Sequence, residues 1–324
     1  MNFGPNYSSI FISWVALASG LVLLTVGGEF LVSGAAKLAK RLGMSSLLIG
    51  LTVVAFGTSM PEFFVSFIAL FHGHPDILTG NVVGSNIANV GLILGFCAII
   101  TPLRVRFRSV SSELYIVLIA TIILGLTAWY GKFPRFVGLI FFTSLILFTI
   151  QSFRLAARKS RKQPQRDSEM QQGGKYSLPF IVALTFAGLT FLPVGSNFFI
   201  KGAVDIARYF GISELVIGLT LAAVGTSLPE LASCLAAIRL RQTNILAGNI
   251  IGSNLFNLLM VMGFCGLIIP YPLSTNLLTR DIPIMFSFSA VLLPILAVQH
   301  GLSRIHGIIL LSAYLGYLYV LGWS

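Results

Sequence analysis

Long apolar stretches recur along the chain and constrain its fold more than any other feature. Ten of them come near the roughly 20 residues that a helix needs to cross a hydrocarbon core of about 30 Å. Only helices and closed barrels satisfy their backbone hydrogen bonds in lipid, and a barrel would show short alternating strands. The sequence therefore predicts an all-α integral membrane protein with ten transmembrane helices. The predicted spans are 11–36, 46–70, 77–101, 112–130, 135–153, 178–203, 213–237, 245–269, 282–299 and 305–322.

The composition agrees with this prediction and excludes a soluble enzyme. The chain is 56% hydrophobic and 10% charged, and its mean hydropathy is +0.91. A formal charge of +11 would suggest nucleic acid in a soluble protein, but here the basic residues sort by loop. With the N-terminus outside, 16 Lys and Arg lie on the inner side and five on the outer side. This bias predicts that both termini are outside and gives no reason to expect a nucleic-acid partner.

An internal repeat joins the two halves of the chain. A shift of 168 residues, without a gap, aligns GLTVVAFGTSMPE at 50–62 with GLTLAAVGTSLPE at 218–230. The same shift aligns GNVVGSNIAN at 80–89 with GNIIGSNLFN at 248–257. Over 34–95 and 202–263, 26 of 62 pairs are identical. The chain is therefore a duplication.

The repeat predicts how the chain is organised in the membrane. We expect a first half at 1–153, a basic cytoplasmic linker at 154–177 and a second half at 178–324. Each half holds five predicted spans, and an odd number makes the second half enter the membrane from the opposite side. Two inverted five-helix repeats are the architecture of many secondary transporters, because exchanging the conformations of the halves exchanges outward and inward access.

Two glutamates stand near the middle of predicted spans, at the same place in each repeat. They are Glu62 and Glu230. An ionisable side chain in the membrane costs about 2.5–3.5 kcal/mol on insertion scales, so such residues are candidates for function. The alternative is a structural role, in which each carboxyl group is paired or protonated and joins helices.

The motif before each glutamate, GTS(M/L)PE, has a chemical rationale. Proline lacks an N–H, so Pro61 and Pro229 should break their helices. The break should leave carbonyl groups without partners near Ala55, Thr58, Ala223 and Thr226. Serine and glutamate stand three residues apart, which places a hydroxyl and a carboxylate on one helix face. Those pairs are Ser59 with Glu62 and Ser227 with Glu230.

The second motif, in the third and eighth spans, adds further oxygen donors. Serine and asparagine stand four residues apart and share a helix face; the pairs are Ser85 with Asn89 and Ser253 with Asn257. Its glycines form small-xxx-small patterns that predict close helix packing; they are Gly80, Gly84, Gly248 and Gly252. The remaining asparagines are equally open to helix packing and to ion contact; they are Asn81, Asn86, Asn249 and Asn254.

Together these groups predict a site of hard oxygen donors with a formal charge of −2 from two carboxylates. Such a site suits Ca²⁺, which takes six to eight oxygens at about 2.3–2.6 Å, or several Na⁺ ions. One divalent ion or two or more monovalent ions could neutralise the same carboxylates in turn. The charge therefore favours exchange of one cation for another.

At this point the doubled motifs resemble the alpha repeats of the cation/Ca²⁺ exchanger superfamily, in particular its prokaryotic-type sodium/calcium exchangers. The resemblance covers nearly the whole chain. It implies ten helices in two inverted halves, and antiport of Ca²⁺ against Na⁺ or, in some branches, H⁺. It places ion ligands at Glu62, Asn89, Glu230 and Asn257, completed by oxygens of Ala55, Thr58, Ser59, Ser85, Ala223, Thr226, Ser227 and Ser253. Some members of the superfamily have Asp where this chain has Asn257.

Other functions remain as alternatives or are excluded. A proton could replace Na⁺, since a buried glutamate can carry one. A passive cation channel is less favoured, because broken helices in inverted repeats favour alternating access. An intramembrane protease would need a Ser–His pair or two membrane aspartates, and neither pattern is present, so the chain is not expected to be an enzyme. Glu29, in the first span, is expected to act in gating or in an interhelical hydrogen bond rather than as a direct ion ligand.

The expected partners are the transported ions and the lipid bilayer. We expect no cofactor and no obligatory protein partner. The short linker favours the inner (plasma) membrane of a prokaryotic cell.

Overall fold

The computed structural model describes residues 6–162, 176–212, 225–274 and 277–323, and these ranges are almost entirely helical. Within them the helices are α1 (Ile10–Leu42), α2 (Ser46–Thr58), α3 (Met60–Phe71), α4 (Pro75–Ile100), α5 (Ser111–Trp129), α6 (Arg135–Lys162), α7 (Leu178–Tyr209), α8 (Leu228–Arg239), α9 (Thr243–Ile268), α10 (Leu277–Gln299) and α11 (Arg304–Trp323). Four two-residue strands join them: β1 (Leu103–Arg104), β2 (Lys132–Phe133), β3 (Tyr271–Pro272) and β4 (Gly301–Leu302).

The predicted all-α integral membrane class is confirmed. Among the described residues, eight helices are long and apolar enough to cross a membrane, and nine spans result if α2 and α3, which meet at a bend of 41°, form one. The predicted number of ten stays a prediction, because residues 213–224 of the seventh predicted span lie outside the described residues.

Three helices continue beyond their predicted ends because charged residues follow the apolar run without breaking the helix. The first helix reaches Leu42 instead of residue 36, and Gly43 ends it in the left-handed conformation at φ 64°. Lys40 and Arg41 lie in its last turn, where cations interact favourably with the helix dipole. Likewise α7 reaches Tyr209, and α6 runs to Lys162, into the segment predicted as the linker. Residues 163–175 lie outside the described part of the chain, so the linker remains a prediction.

The long helices α1 and α7 pack against each other in antiparallel directions. Gly34, near the end of α1, contacts Thr185 near the start of α7, whereas Gly202, near the end of α7, contacts Leu17 near the start of α1. Glycine is needed along this interface because the two backbones approach closely. The two helices therefore form one tightly packed pair.

The α1–α7 contacts are reciprocal at the spacing of the sequence repeat. A Cβ on Gly20 would lie 2.4 Å from the backbone nitrogen of Phe199, and a Cβ on Gly188 would lie 2.4 Å from that of Leu31. Gly188 and Phe199 are the repeat equivalents of Gly20 and Leu31. The strands pair in the same reciprocal order, β1 with β4 and β2 with β3, both antiparallel, with a register offset of one residue from the repeat spacing. Reciprocal contacts of this kind are what a two-fold relation between equivalent elements produces.

The glycines of the second motif pack closely in the half where their partners are described. A Cβ on Gly248 would lie 2.3 Å from a backbone oxygen of α2, and one on Gly252 would lie 2.6 Å from the Cβ of Ala55. The prediction of close packing is confirmed for these two. For Gly80 and Gly84 it stays a prediction, because the stretch of the second half equivalent to their expected partners lies outside the described residues.

We predict that Gly20→Ala destabilises the protein by about 1–3 kcal/mol, as overpacking does, because the neighbouring atom belongs to the backbone and cannot move away. The thermal midpoint in detergent should fall by several degrees. The matched control is Gly125→Ala in α5, where the new Cβ would lie 3.7 Å from Ile282, an ordinary contact. Equal midpoints for the two variants would contradict the close approach of α1 and α7.

Candidate ion-binding site

The two GTS(M/L)PE motifs have the same backbone geometry. The chain turns at Ser59, with φ −82° and ψ 2°, between α2 and α3. It adopts nearly the same values, φ −88° and ψ 4°, at Ser227 before α8. Pro61 and Pro229 occupy the first turn of the new helix, where the missing N–H has no intrahelical partner to lose. The predicted helix breaks are confirmed at both prolines.

The carbonyl groups freed by the breaks are not all the predicted ones. In an α-helix Pro61 would have bonded the carbonyl of Gly57, four residues earlier, whereas the carbonyl of Ala55 accepts the N–H of Ser59 at 3.0 Å. The prediction that Ala55 lacks a partner is therefore wrong, because the helix ends only after its bond is made. Its oxygen has a second lone pair and can still contact a cation.

In the second half the carbonyl freed by Pro229 belongs to Gly225, by the same counting. It accepts a hydrogen bond from the hydroxyl of Ser196 at 2.8 Å. Ser196 lies in α7, so this bond ties the break before α8 to the α1–α7 pair.

Both motif glutamates are completely buried. Glu62 and Glu230 have 0% of their surface exposed, and they lie close enough to repel each other electrostatically. Neither oxygen of Glu62 has a hydrogen-bond partner, whereas Oε1 of Glu230 accepts a long bond of 3.5 Å from Ser253. None of the ion pairs formed within the described ranges includes either glutamate.

Unpartnered buried oxygens concentrate at this place. Six of the nine buried side-chain atoms without a hydrogen-bond partner in the described structure belong to predicted site residues. They are Ser59 Oγ, both carboxylate oxygens of Glu62, Asn89 Oδ1, Glu230 Oε2 and Asn257 Oδ1. A buried polar group without a partner costs about 1–3 kcal/mol, so such a cluster requires an explanation. Oxygens with free lone pairs are what Ca²⁺ or Na⁺ would bind.

Hydroxyl groups from one half meet the motif of the other half. Ser85 Oγ of α4 lies 3.5 Å from Ser227 Oγ, and Ser253 Oγ of α9 lies 3.3 Å from Thr58 Oγ1. These contacts place both broken helices against α4 and α9, the two most buried of the candidate spans. The site is therefore built equally from the two halves.

Two asparagines accept hydrogen bonds from the threonines at the helix break of the other half. Thr226 donates to Asn81 Oδ1 at 3.2 Å, and Thr58 donates to Asn249 Oδ1 at 3.1 Å. Asn81 in turn donates to the backbone oxygen of Glu62 at 3.1 Å. For Asn81 and Asn249 the structure thus shows interhelical hydrogen bonds.

The structure brings eleven of the twelve predicted site residues to one region, where all are buried except Thr226, which is half-buried. They are Ala55, Thr58, Ser59, Glu62, Ser85, Asn89, Thr226, Ser227, Glu230, Ser253 and Asn257. Ala223 lies outside the described residues.

A wider helical turn begins at each site asparagine, a feature that the sequence did not predict. The backbone is π-helical over Asn89–Leu94 and over Asn257–Met262. Single π turns inside α-helices occur frequently at functional sites. The apolar sequences within these turns carry no evident signal for them, although their equal position in the repeat agrees with a shared role.

Glu29 makes an interhelical contact outside the site. Its carboxylate forms an ion pair with Arg239 of α8 at 2.5 Å. Both residues line a cavity of about 330 Å³ between α1, α7 and α8, whose walls are otherwise mostly apolar. The contact links the α1–α7 pair to the end of α8, as expected for an interhelical role.

Comparisons with known proteins agree with this geometry. A sequence model of the sodium/calcium exchanger protein family matches residues 12–154 and 180–323, one match in each half. The chain is 35% identical to the putative antiporter CaxA of Alkalimonas amylolytica over 96% of this chain and 98% of that protein. It is 31% identical to the sodium/calcium exchanger MaX1 of Methanosarcina acetivorans, covering 96% and 99% of the two chains.

A solved structure of the sodium-calcium exchanger NCX_Mj superimposes with a TM-score of 0.80 at 30% identity, covering 96% of this chain and 99% of the other. The duplicated motifs, the buried oxygen cluster and these matches lead to one conclusion. The chain belongs to the sodium/calcium exchanger family of membrane cation transporters.

Proposed function

We propose that this protein exchanges Ca²⁺ for Na⁺ across the membrane by alternating access at the site between the two helix breaks. The observation that carries the proposal is the cluster of buried, unpartnered oxygens from Glu62, Glu230, Asn89, Asn257 and Ser59. Hydroxyl and carbonyl oxygens of the remaining predicted residues would complete the coordination. The ions are substrates on this proposal, and no cofactor takes part.

The charge of the site supports exchange over simple binding. With both carboxylates ionised, the site carries −2 and no cationic side chain pairs with them among the described residues. One Ca²⁺ or two or more Na⁺ would neutralise it, whereas a site without either ion would keep two repelling carboxylates buried unless they took up protons. Because Ca²⁺ and Na⁺ would bind the same oxygens, binding of one ion would displace the other.

We further propose ten transmembrane helices in two inverted halves. The antiparallel packing of the equivalent helices α1 and α7 supports the inversion, since a two-fold axis that reverses a helix lies parallel to the membrane plane. On this proposal both termini lie outside, the linker is cytoplasmic, and the protein resides in the inner membrane of a prokaryotic cell.

On this proposal, the α1–α7 pair slides across the rest of the bundle, and this movement exchanges outward access to the site for inward access. Two features support this. The glycine-lined contact makes the pair one body, and its contacts are asymmetric. Helix α1 packs along α8, whereas α7 makes no comparable contact with α3, its equivalent partner in the repeat. An asymmetric arrangement of symmetric halves is expected of a protein that rests in one of two states in which the halves exchange conformations by a two-fold rotation.

Proton-coupled Ca²⁺ exchange is the alternative for the counter-ion. The buried carboxyl groups could release Ca²⁺ on protonation as well as on binding Na⁺. The relative CaxA is described only as a putative antiporter, whereas MaX1 is a sodium/calcium exchanger, and the latter favours Na⁺.

We predict that an outward Na⁺ gradient drives uptake of radiolabelled Ca²⁺ into proteoliposomes. Glu62→Gln and Glu230→Gln should each reduce this uptake at least about tenfold, because each variant removes a charged ligand. Glu113→Gln is the matched control, since Glu113 is a buried glutamate in the first turn of α5. If uptake responds to an outward H⁺ gradient and not to a Na⁺ gradient, the counter-ion is H⁺ instead of Na⁺. Uptake in both Gln variants equal to that of the control would contradict the proposed site.

We predict that single cysteines at two equivalent positions react from opposite sides of the membrane. Leu42 and Phe210 are both exposed and correspond in the repeat, while the native Cys97, Cys234 and Cys265 are buried. An impermeant maleimide should label Phe210→Cys from outside and Leu42→Cys only from the cytoplasmic side. Labelling of both variants from the same side would contradict the inverted repeats.

A further inference from the structure

Four buried asparagines form a closed hydrogen-bonded set between α4 and α9. Asn86 Nδ2 donates to the backbone oxygen of Asn254 at 3.3 Å, and Asn254 Nδ2 donates to the backbone oxygen of Asn86 at 3.4 Å. Asn257 Nδ2 donates to Asn86 Oδ1 at 3.1 Å, and Asn89 Nδ2 donates to Asn254 Oδ1 at 3.0 Å. Each bond has its counterpart at the repeat spacing.

The backbone carbonyls determine how every amide in this set is turned. A carbonyl oxygen can only accept, so Asn86 must present its NH₂ group to the carbonyl of Asn254. The Oδ1 atom of Asn86 then faces Asn257, which must donate a hydrogen bond to it from its own NH₂ group. The Oδ1 atom of Asn257 is thereby turned away from the set, and it is buried without a partner. In the other half, Asn254 donates to the carbonyl of Asn86, so Asn89 must donate to Asn254 Oδ1 and its own Oδ1 is turned away from Asn254.

We infer that Asn86 and Asn254 are positioning residues that fix the amide oxygens of Asn257 and Asn89 toward the bound cation. Without them either amide could rotate by 180° and present its NH₂ group, which repels a cation, at nearly the same steric volume. The inference rests on the proposed function, because it concerns how two of the proposed ligands are oriented. It assigns to Asn86 and Asn254 a role that is neither ion contact nor helix packing alone.

The arrangement also bears on the choice of Asn over Asp at position 257. A carboxylate at this position has no hydrogen to donate, so one of its oxygens would lie against Asn86 Oδ1. Asp at position 257 should therefore be disfavoured while Asn86 is present. A carboxylate needs no positioning partner, however, because either of its oxygens can face the cation.

The test measures the concentration of Ca²⁺ that gives half-maximal uptake, together with the maximal rate. Asn86→Ala should raise the half-maximal concentration about tenfold or more, the range of losses when a partner of a metal ligand is removed, with a smaller change in maximal rate. Asn244→Ala is the matched control, since Asn244 is exposed at the start of the same helix as Asn254 and Asn257. Asn254→Ala should reproduce the effect from the other half.

The decisive comparison adds Asn257→Asp to native protein and to Asn86→Ala. The substitution should impair Ca²⁺ affinity in native protein and restore it in the Asn86→Ala variant, a reversal that a merely structural role of Asn86 does not produce. Equal effects in the two backgrounds, or native affinity in Asn86→Ala, would overturn the inference. Equilibrium binding of labelled Ca²⁺ to native protein in detergent separates the two proposals: native protein that neither binds nor carries Ca²⁺ contradicts the proposed function itself.

Discussion

Two carboxylic acids buried beside each other in an apolar bundle are the constraint on which the rest of this structure depends. Ionised, Glu62 and Glu230 repel each other, and none of the ion pairs in the described ranges includes them. A bound cation or a proton can relieve this repulsion, and no cationic side chain pairs with either carboxylate in the described ranges. The broken helices, the motif hydroxyls and the two outward-turned amides all add oxygen to the same place, which supports the proposal that a cation supplies the compensating charge. On the proposed function, the transported ion is part of what stabilises the site.

The two-fold relation between the halves explains why this site lies where it does. Each half alone supplies a broken helix, one carboxylate and one serine–asparagine face, which is half of the proposed coordination shell. Reciprocal contacts bring the halves together at the repeat spacing, from the glycines of α1 and α7 to the asparagines of α4 and α9. The relation is not complete, because α1 contacts α8 more extensively than α7 contacts α3. On the proposed mechanism, a symmetric site within an asymmetric arrangement would be reached from one side in one state and from the other side in the next.

The sequence was sufficient for the helical class, the duplication and the residues that meet at the site, because each depends on a local rule. Apolar length predicts a span, a proline predicts a break, and an exact repeat spacing predicts equivalent positions. The features it did not predict depend on three-dimensional context. The carbonyl of Ala55 keeps its helical partner because the break falls after it. The π turns at Asn89 and Asn257 and the orientation of the amides depend on which backbone carbonyl lies opposite, which no pattern in one half contains.

Anomalous diffraction from crystals of the protein grown with Ca²⁺ would show whether a cation binds between Glu62 and Glu230. We expect an anomalous peak at about 2.3–2.6 Å from carboxylate oxygens of both glutamates. We also expect excess Na⁺ to remove this peak. A peak at Glu29 instead, with none between Glu62 and Glu230, would show that the two motif glutamates do not hold the ion.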